Sequence, residues 1–320
     1  MPRDPSAAAL AGAAGEARRQ RAERLAVLAM PDLADYALID SGGGRKLERF
    51  GRVTTDRPEA QALWRPAVDA ALWRRADARF KAKGEGEEES GRWHADPSLP
   101  ASWPLRVAGV TVLCRLTAIR HLGVFPEQLA HWQWMQGTLR RRPGETVRVL
   151  NLFAYTGAAT LIAAAAGAEV THVDASKTAI AWARQNQAAS GLGAAPIRWI
   201  LEDARKFAAR EVRRGRRYQL ILIDPPKFGR GPAGETWEIF DHLAGLLRDC
   251  ALLLEGTRAA LVLTTYAVRA SALAFGELLA ECMTMRPGVL ETGELVIPEQ
   301  SAGRLLPTSH YARWVGDATR

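Results

Sequence analysis

From Val147 onward the chain repeats one rhythm: a short apolar run, an amphipathic stretch, then another apolar run. "VRVLNLF" precedes "GAATLIAAAAG", and "EVTHVDA" precedes a helical stretch from Ser176 to about Ser190. "PIRWILED" leads into "ARKFAAREVRR". "YQLILIDPP" leads through a Gly-rich loop into "WEIFDHLAGLLRDCALLL" and then "AALVLTTYA". Strands and helices alternating at this spacing predict a doubly wound α/β fold with a mainly parallel sheet. The strands are nearly continuous apolar runs, as they must be when helices cover both faces.

The first third has a different rhythm. "YALIDSGGGRKLERFG" is a hairpin candidate around a Gly turn, "KAKGEGEEESGRW" is a loop between strand-forming residues, and "LRVAGVTVLCRLTA" is another strand pair. Residues 31–125 are therefore expected to form a small β-rich domain and residues 126–320 the α/β domain. "HLGVFPEQLAHWQWMQGTLRR" is the helical bridge between them. Residues 1–30 are Ala- and Arg-rich with Glu16 and Glu23 interleaved, which predicts a helical or frayed leader rather than a secretory signal. The acidic run Glu85–Glu89 has the character of a solvated loop tip.

Composition narrows the function classes. Of 320 residues 48% are apolar, enough for a packed core, yet no apolar run approaches the roughly 18–20 needed to span a bilayer. Cys114, Cys250 and Cys282 are odd in number and widely spaced, which disfavours disulfides and zinc and fits a reducing cytoplasm. The six histidines do not cluster at ligand spacing, so no metal is expected. The net charge of +8 is compatible with a polyanionic partner, although it is almost all Arg and compositional bias is a second source for it.

"LNLFAYTGAAT" looks like half of a dinucleotide fingerprint: strand, tight turn, then small residues opening a helix, with Gly157 alone where G-x-G-x-x-G has three glycines. Extra glycines serve a pyrophosphate lying against the backbone. A ligand with adenosine and a carboxylate but no pyrophosphate needs fewer close approaches, and the helix N-terminus still attracts its carboxylate. Acids close the next three strands: Asp174, Asp203 and Asp224. A helix of about ten residues descends roughly 15 Å and a five-residue strand climbs back about 16–17 Å. Asp174 should thus return to the level of Gly157, where an acid can hold ribose hydroxyls. The competing reading is that Asp174 and Asp203 only cap the helices begun by "DASK" and "DARK". In "LILIDPPKFGRG" two prolines stop the strand and fix the backbone after Asp224, so its carboxylate is expected to face the cleft.

At these residues the chain resembles the class I S-adenosylmethionine-dependent methyltransferases, and among them the bacterial enzymes that modify large-subunit ribosomal RNA. The resemblance runs from about Gly123 to Trp314. "NLFAYTG" matches the first motif, "VDAS" the ribose motif, "LEDARKF" the adenine motif and "DPPKF" the catalytic motif. "FPEQ" resembles the element preceding the cofactor loop, and "GRLLPTSHYARW" the final, antiparallel strand of a Rossmann-like sheet. The resemblance implies S-adenosyl-L-methionine as cofactor, with Tyr155, Thr156 and Gly157 around its methionine part and Gln128 closing over it. Asp174 would hold the ribose and Asp203 the adenine amine. Asn151, Phe153 and Ala154, Ala175 and Ser176, Asn186, and Glu202 and Ala204 complete the implied cofactor set. Asp224 and the carbonyl of Pro225 would face the nucleophile, with Pro226 and Phe228 beside them.

Two departures bear on the reaction. Lys227 separates Pro226 from Phe228, placing the aromatic one step later than in the amino-methylating pattern. In "LTTYAVRA", Tyr266 stands where some relatives carry the cysteine that carbon-5 methylation of a pyrimidine needs. The expected function is methylation of RNA, ribosomal RNA in the first place, at a base nitrogen by direct in-line transfer. The alternatives are a methyltransferase acting on a protein or small molecule, and an RNA-binding protein that keeps the fold.

Overall fold

The computed structural model describes residues 25–84, 90–140, 144–256, 258–266 and 268–317. An eight-stranded sheet forms the centre. Its strands are β1 (Ala26–Ala29), β9 (Arg148–Leu152), β10 (Glu169–Asp174), β11 (Ile197–Leu201), β12 (Leu220–Ile223), β15 (Ala260–Tyr266), β16 (Gly288–Pro298) and β17 (Leu305–Gly316). They are ordered β1-β16-β17-β15-β12-β9-β10-β11. All the pairings are parallel except those of β17, which runs antiparallel to both β15 and β16.

The apolar runs explain why this sheet is buried on both sides. Along β12, Leu220 and Leu222 enter one core cluster while Ile221 and Ile223 enter the other. β15 divides the same way, with Ala260 and Val262 on one face and Leu261 and Leu263 on the other. Successive strand residues point to opposite faces, so a strand buried twice must be apolar throughout. Helices α2 (Leu129–Arg140) and α3 (Ala158–Ala165) cover the first face. Helices α5 (Ala204–Arg213), α6 (Ile239–Leu253) and α7 (Ala272–Cys282) cover the second. Helix α4 (Lys177–Ala189) connects β10 to the edge strand β11, whose Arg198 and Leu201 are exposed.

The expected β-rich region holds a five-stranded sheet ordered β2-β3-β4-β5-β6: Tyr36–Gly42, Arg45–Phe50, Val53–Pro58, Ala78–Ala82 and Gly91–Ala95. A short helix, α1 (Ala70–Arg74), precedes β5, and a separate hairpin pairs β7 (Trp103–Val107) with β8 (Val110–Cys114). Tyr36, Phe50, Trp103 and Val112 share the first core cluster with Val149 and Leu161, so this region packs directly on the α/β sheet.

Two expectations need correction. The leader stops short of residue 30, because Ala26–Ala29 is an edge strand of the main sheet, parallel to β16; residues 1–24 lie outside the described residues, as do 85–89 of the acidic run. The Gly-rich loop after "DPP" contains an antiparallel hairpin, β13 (Phe228–Arg230) with β14 (Thr236–Glu238).

Candidate active site

The loop after β9 is conformationally unusual. Phe153 and Tyr155 have φ of 56° and 48°, and Gly157 has φ of 82°. Left-handed backbone costs a non-glycine residue roughly 1–2 kcal/mol and collects at functional sites. This loop is held by its surroundings. Tyr155 N–H donates to Asp174 Oδ2 at 2.8 Å, Ala154 N–H to the Val173 carbonyl at 3.1 Å, and Thr156 Oγ1 to the Gly123 carbonyl. Gly157 is needed for a tertiary reason as well. A Cβ there would lie 3.0 Å from the Ala183 Cβ of α4, besides requiring the left-handed backbone.

The three acids divide into different roles. Asp174 does not cap α4, whose cap is Ser176. It accepts from Tyr155 N–H through one oxygen and from Ser176 N–H, at 2.8 Å, through the other. Burial holds its pKa above the ordinary carboxylate value, with those two backbone donors offsetting only part of the rise. A carboxylate oxygen has two lone pairs, so each oxygen can still accept from a ligand hydroxyl. Asp203 does cap its helix, accepting from Arg205 N–H at 3.0 Å and Lys206 N–H at 3.1 Å, and it pairs with the Arg205 guanidinium at 3.3 Å.

Asp224 belongs to the cleft itself. Its Oδ1 is shielded from solvent and has no hydrogen-bond partner. Its Oδ2 faces Gln128 Nε2 at 3.4 Å. Burial, then the charge of Glu127, pushes its pKa well above the usual carboxylate range. The loop beyond is pinned by Trp237, whose Nε1–H donates to the Pro226 carbonyl at 2.7 Å. Pro225 is buried, Pro226 is exposed, and Phe228 is 58% exposed with the Lys227 ammonium 5.1 Å from its ring centre.

Gln128, Asn151, Phe153, Ala154, Tyr155, Thr156 and Asp224 all line one cleft at the carboxyl ends of β9 and β12. Asp174, Ala175, Ser176, Glu202, Asp203 and Ala204 follow the same sheet edge at the ends of β10 and β11. Asn186 sits behind the loop: it is fully buried, donates to the Thr156 carbonyl at 2.9 Å and accepts from Leu113 N–H at 2.9 Å. It clamps the loop to β8, and it does not line the cleft. Phe228 likewise lies outside the cleft-lining residues, on β13.

Three further residues meet at the cleft only through folding. Phe125 packs on Tyr155 and Tyr266, with ring centres 5.9 and 5.1 Å apart. Glu127 is buried in a 3₁₀ turn, Pro126–Gln128, and burial raises its pKa. Tyr266, noted only as an absent cysteine, receives Gln128 Nε2–H at 3.0 Å. "FPEQ" carried a signal for the first two, but only folding joins it to β15.

The residues present suit S-adenosylmethionine. The strained loop lies at the start of α3, and Asp174 beside it has lone pairs to spare. The cleft also holds two polar atoms without partners, Asp224 Oδ1 and the Tyr155 hydroxyl. Among the described residues, no group of three or more His, Cys, Asp or Glu is placed to hold a metal ion.

Residues 129–260 match a family described as Conserved hypothetical protein 95. The ribosomal RNA large subunit methyltransferase I of Aeromonas salmonicida is 30% identical over 175 residues, covering 54% of this chain and 42% of the relative. A ribosomal RNA large subunit methyltransferase K/L of Shewanella frigidimarina is 42% identical over 106 residues, covering 31% of this chain and 15% of the relative. The chain thus spans less than half the length of these curated relatives. The crystal structure of a SAM-dependent methyltransferase from Agrobacterium tumefaciens is 51% identical, superposes with a TM-score of 0.87, and is matched over 91% of this chain and 93% of that one. With half its residues shared along almost the whole of both molecules, the chain belongs to the class I S-adenosylmethionine-dependent methyltransferases.

Proposed function

We propose that this enzyme methylates RNA at a base nitrogen, by direct in-line transfer and without a covalent enzyme–substrate intermediate. The observation that carries the reading is the Asp224 carboxylate, with one oxygen shielded and unpartnered in the cleft. An acceptor so placed takes a hydrogen bond from an N–H nucleophile, aims its lone pair, and stabilises the positive charge that grows on nitrogen. S-adenosylmethionine supplies an electrophilic methyl group on a sulfonium. Trp237 and the two prolines hold Asp224 in place, so little reorganisation is needed when substrate arrives.

The cysteines support the non-covalent route. Cys114 on β8 and Cys250 on α6 are fully buried, and Cys282 on α7 is half-buried. None lines the cleft, and burial pushes the Cys114 thiol up to about 12. The RNA substrate is supported by the curated relatives, both named for ribosomal RNA, and by the net charge of +8. The deciding experiment is mass spectrometry of RNA from a deletion strain, complemented with the parental gene, with Asp224→Asn, or with Cys114, Cys250 and Cys282 all changed to Ser. One methylated base nitrogen should vanish on deletion, return with the parental and Ser genes, and stay absent with Asp224→Asn. Unchanged RNA on deletion would exclude the RNA substrate, and loss with the folded Ser variant would restore the covalent route.

A further inference from the structure

The cleft uses only the carboxyl ends of the parallel strands. At the opposite edge β12, β9, β10 and β11 lie side by side, beginning at Leu220, Arg148, Glu169 and Ile197. Two surface grooves cross these amino ends and share Arg148, Arg216 and Arg217 as walls. Arg214 lines one groove and Arg198 the other, so five arginines meet three glutamates there and the edge is positive. Most of this charge comes from "REVRRGRRYQ", the run that ends α5 and leads into β12. Arg210 of the same run points elsewhere, paired with Glu202 on the cleft side.

The turn carrying these arginines is fixed by its hydrogen bonds. Gly215 has φ of 63°, and Arg216 N–H donates to the Glu211 carbonyl at 3.0 Å. Tyr218 N–H donates to the Leu253 carbonyl at 2.9 Å, and its hydroxyl to the buried Glu211 at 2.8 Å. Two of the glutamates are already engaged: Glu211 faces Arg198 at 3.3 Å and Arg214 at 3.5 Å, and Glu255 pairs with Arg148 at 2.8 Å. Glu169 is exposed at the start of β10. Among the described residues no carboxylate pairs with the exposed Arg216 or the half-buried Arg217. Arg217 spends one N–H on the Arg216 carbonyl at 2.9 Å, which leaves the rest of its guanidinium for a partner. Burial and then the charge of Arg217 lower the pKa of Arg286, a sign of crowded positive charge.

We propose that this amino edge is a docking surface for the phosphate backbone of the RNA substrate, separate from the cleft where the methyl group is transferred. The inference rests on the reading of RNA as the substrate. Guanidinium groups match phosphate oxygens two at a time, and a braced turn presents them with little ordering left to do. The five residues of β9 separate the two edges by about 16 Å before any loop is added. A single target nucleotide in the cleft does not reach the patch. The substrate is therefore an RNA long enough, and folded suitably, to pass round the end of the sheet. Contacts of this kind supply affinity and orientation and leave the choice of base to the cleft.

Filter binding of the full chain to protein-free large-subunit ribosomal RNA, across about 50–200 mM salt, counts the phosphate contacts from the slope of log K against log salt. Changing Arg216 and Arg217 together to Gln should make that slope shallower by about 1.5, because each lost contact releases fewer counterions. Changing both to Lys keeps the charge and should keep the parental slope. Arg74 and Arg75, exposed at the end of α1, give the control: the same loss of two charges there should leave the slope unchanged. Thermal melts and S-adenosylhomocysteine affinity should match the parent in every variant. In methylation of the same RNA, the Gln variant should raise KM several-fold and spare kcat. A parental slope in the Gln variant, or an equal fall in the α1 control, would overturn the docking surface and leave the substrate reading standing. A parental protein that binds no RNA across this range would overturn both.

Discussion

Asp174 and Asp224 are both acids at strand ends, and their surroundings give them opposite requirements. Asp174 is braced by two backbone donors, each at 2.8 Å. Replacing it with Ala should weaken S-adenosylhomocysteine binding by about 1.5–3 kcal/mol, the worth of hydrogen bonds to a charged group, as measured by calorimetry. Asp224 lacks such bracing. Asp224→Asn keeps the shape but not the charge, so single-turnover transfer should fall about 10²–10³-fold with S-adenosylhomocysteine affinity within a few-fold. Transfer at the parental rate would reduce "DPP" to a turn. The same residue makes a stability prediction. A carboxyl whose folded pKa is raised binds its proton more tightly in the folded state, so stability falls as pH rises from the ordinary carboxylate range through the raised value. Chemical denaturation at neutral pH should therefore find Asp224→Asn more stable than the parent, with the gap closing in acid.

At the scale of elements, the cofactor loop is a joint between β9, α4 and β10. Its left-handed residues are kept in place by Asp174, by Asn186 and by the close approach of Gly157 to Ala183. Gly157→Ala should destabilise the fold by about 1–2 kcal/mol from backbone alone, and by more if α4 must shift. Urea denaturation measures it. A loss of cofactor affinity larger than the loss of stability would show that the loop's shape is what the ligand binds. "NLFAYTG" made the turn legible because glycine and small residues act locally. The contact with Ala183 was not legible, since it depends on where α4 lands after the chain has crossed the sheet.

Across the whole molecule, the β-rich region shares a core with the α/β sheet and carries a buried ion network. Glu48 is fully buried and bonded to Arg57, Tyr36 and Lys46. Glu48→Gln leaves the buried Arg57 without its counter-charge, and should cost about 3–5 kcal/mol in equilibrium unfolding. A cost below 1 kcal/mol would mean that water reaches the pair. The periodicity of the apolar runs, the one-glycine turn and the acids at three strand ends determined the α/β class and which edge carries the chemistry. These are short-range signals, set by backbone geometry and by the need to bury both faces of a parallel sheet. Folding alone decided that Asp203 caps a helix while Asp174 does not, that Asn186 braces the loop from behind, and that Ala26–Ala29 joins the far edge of the sheet. It also decided the partnership of Gln128, Asp224 and Tyr266, drawn from segments up to 138 residues apart. Desolvation and hydrogen-bond partnership belong to neighbours in space, and no local pattern of residues encodes them.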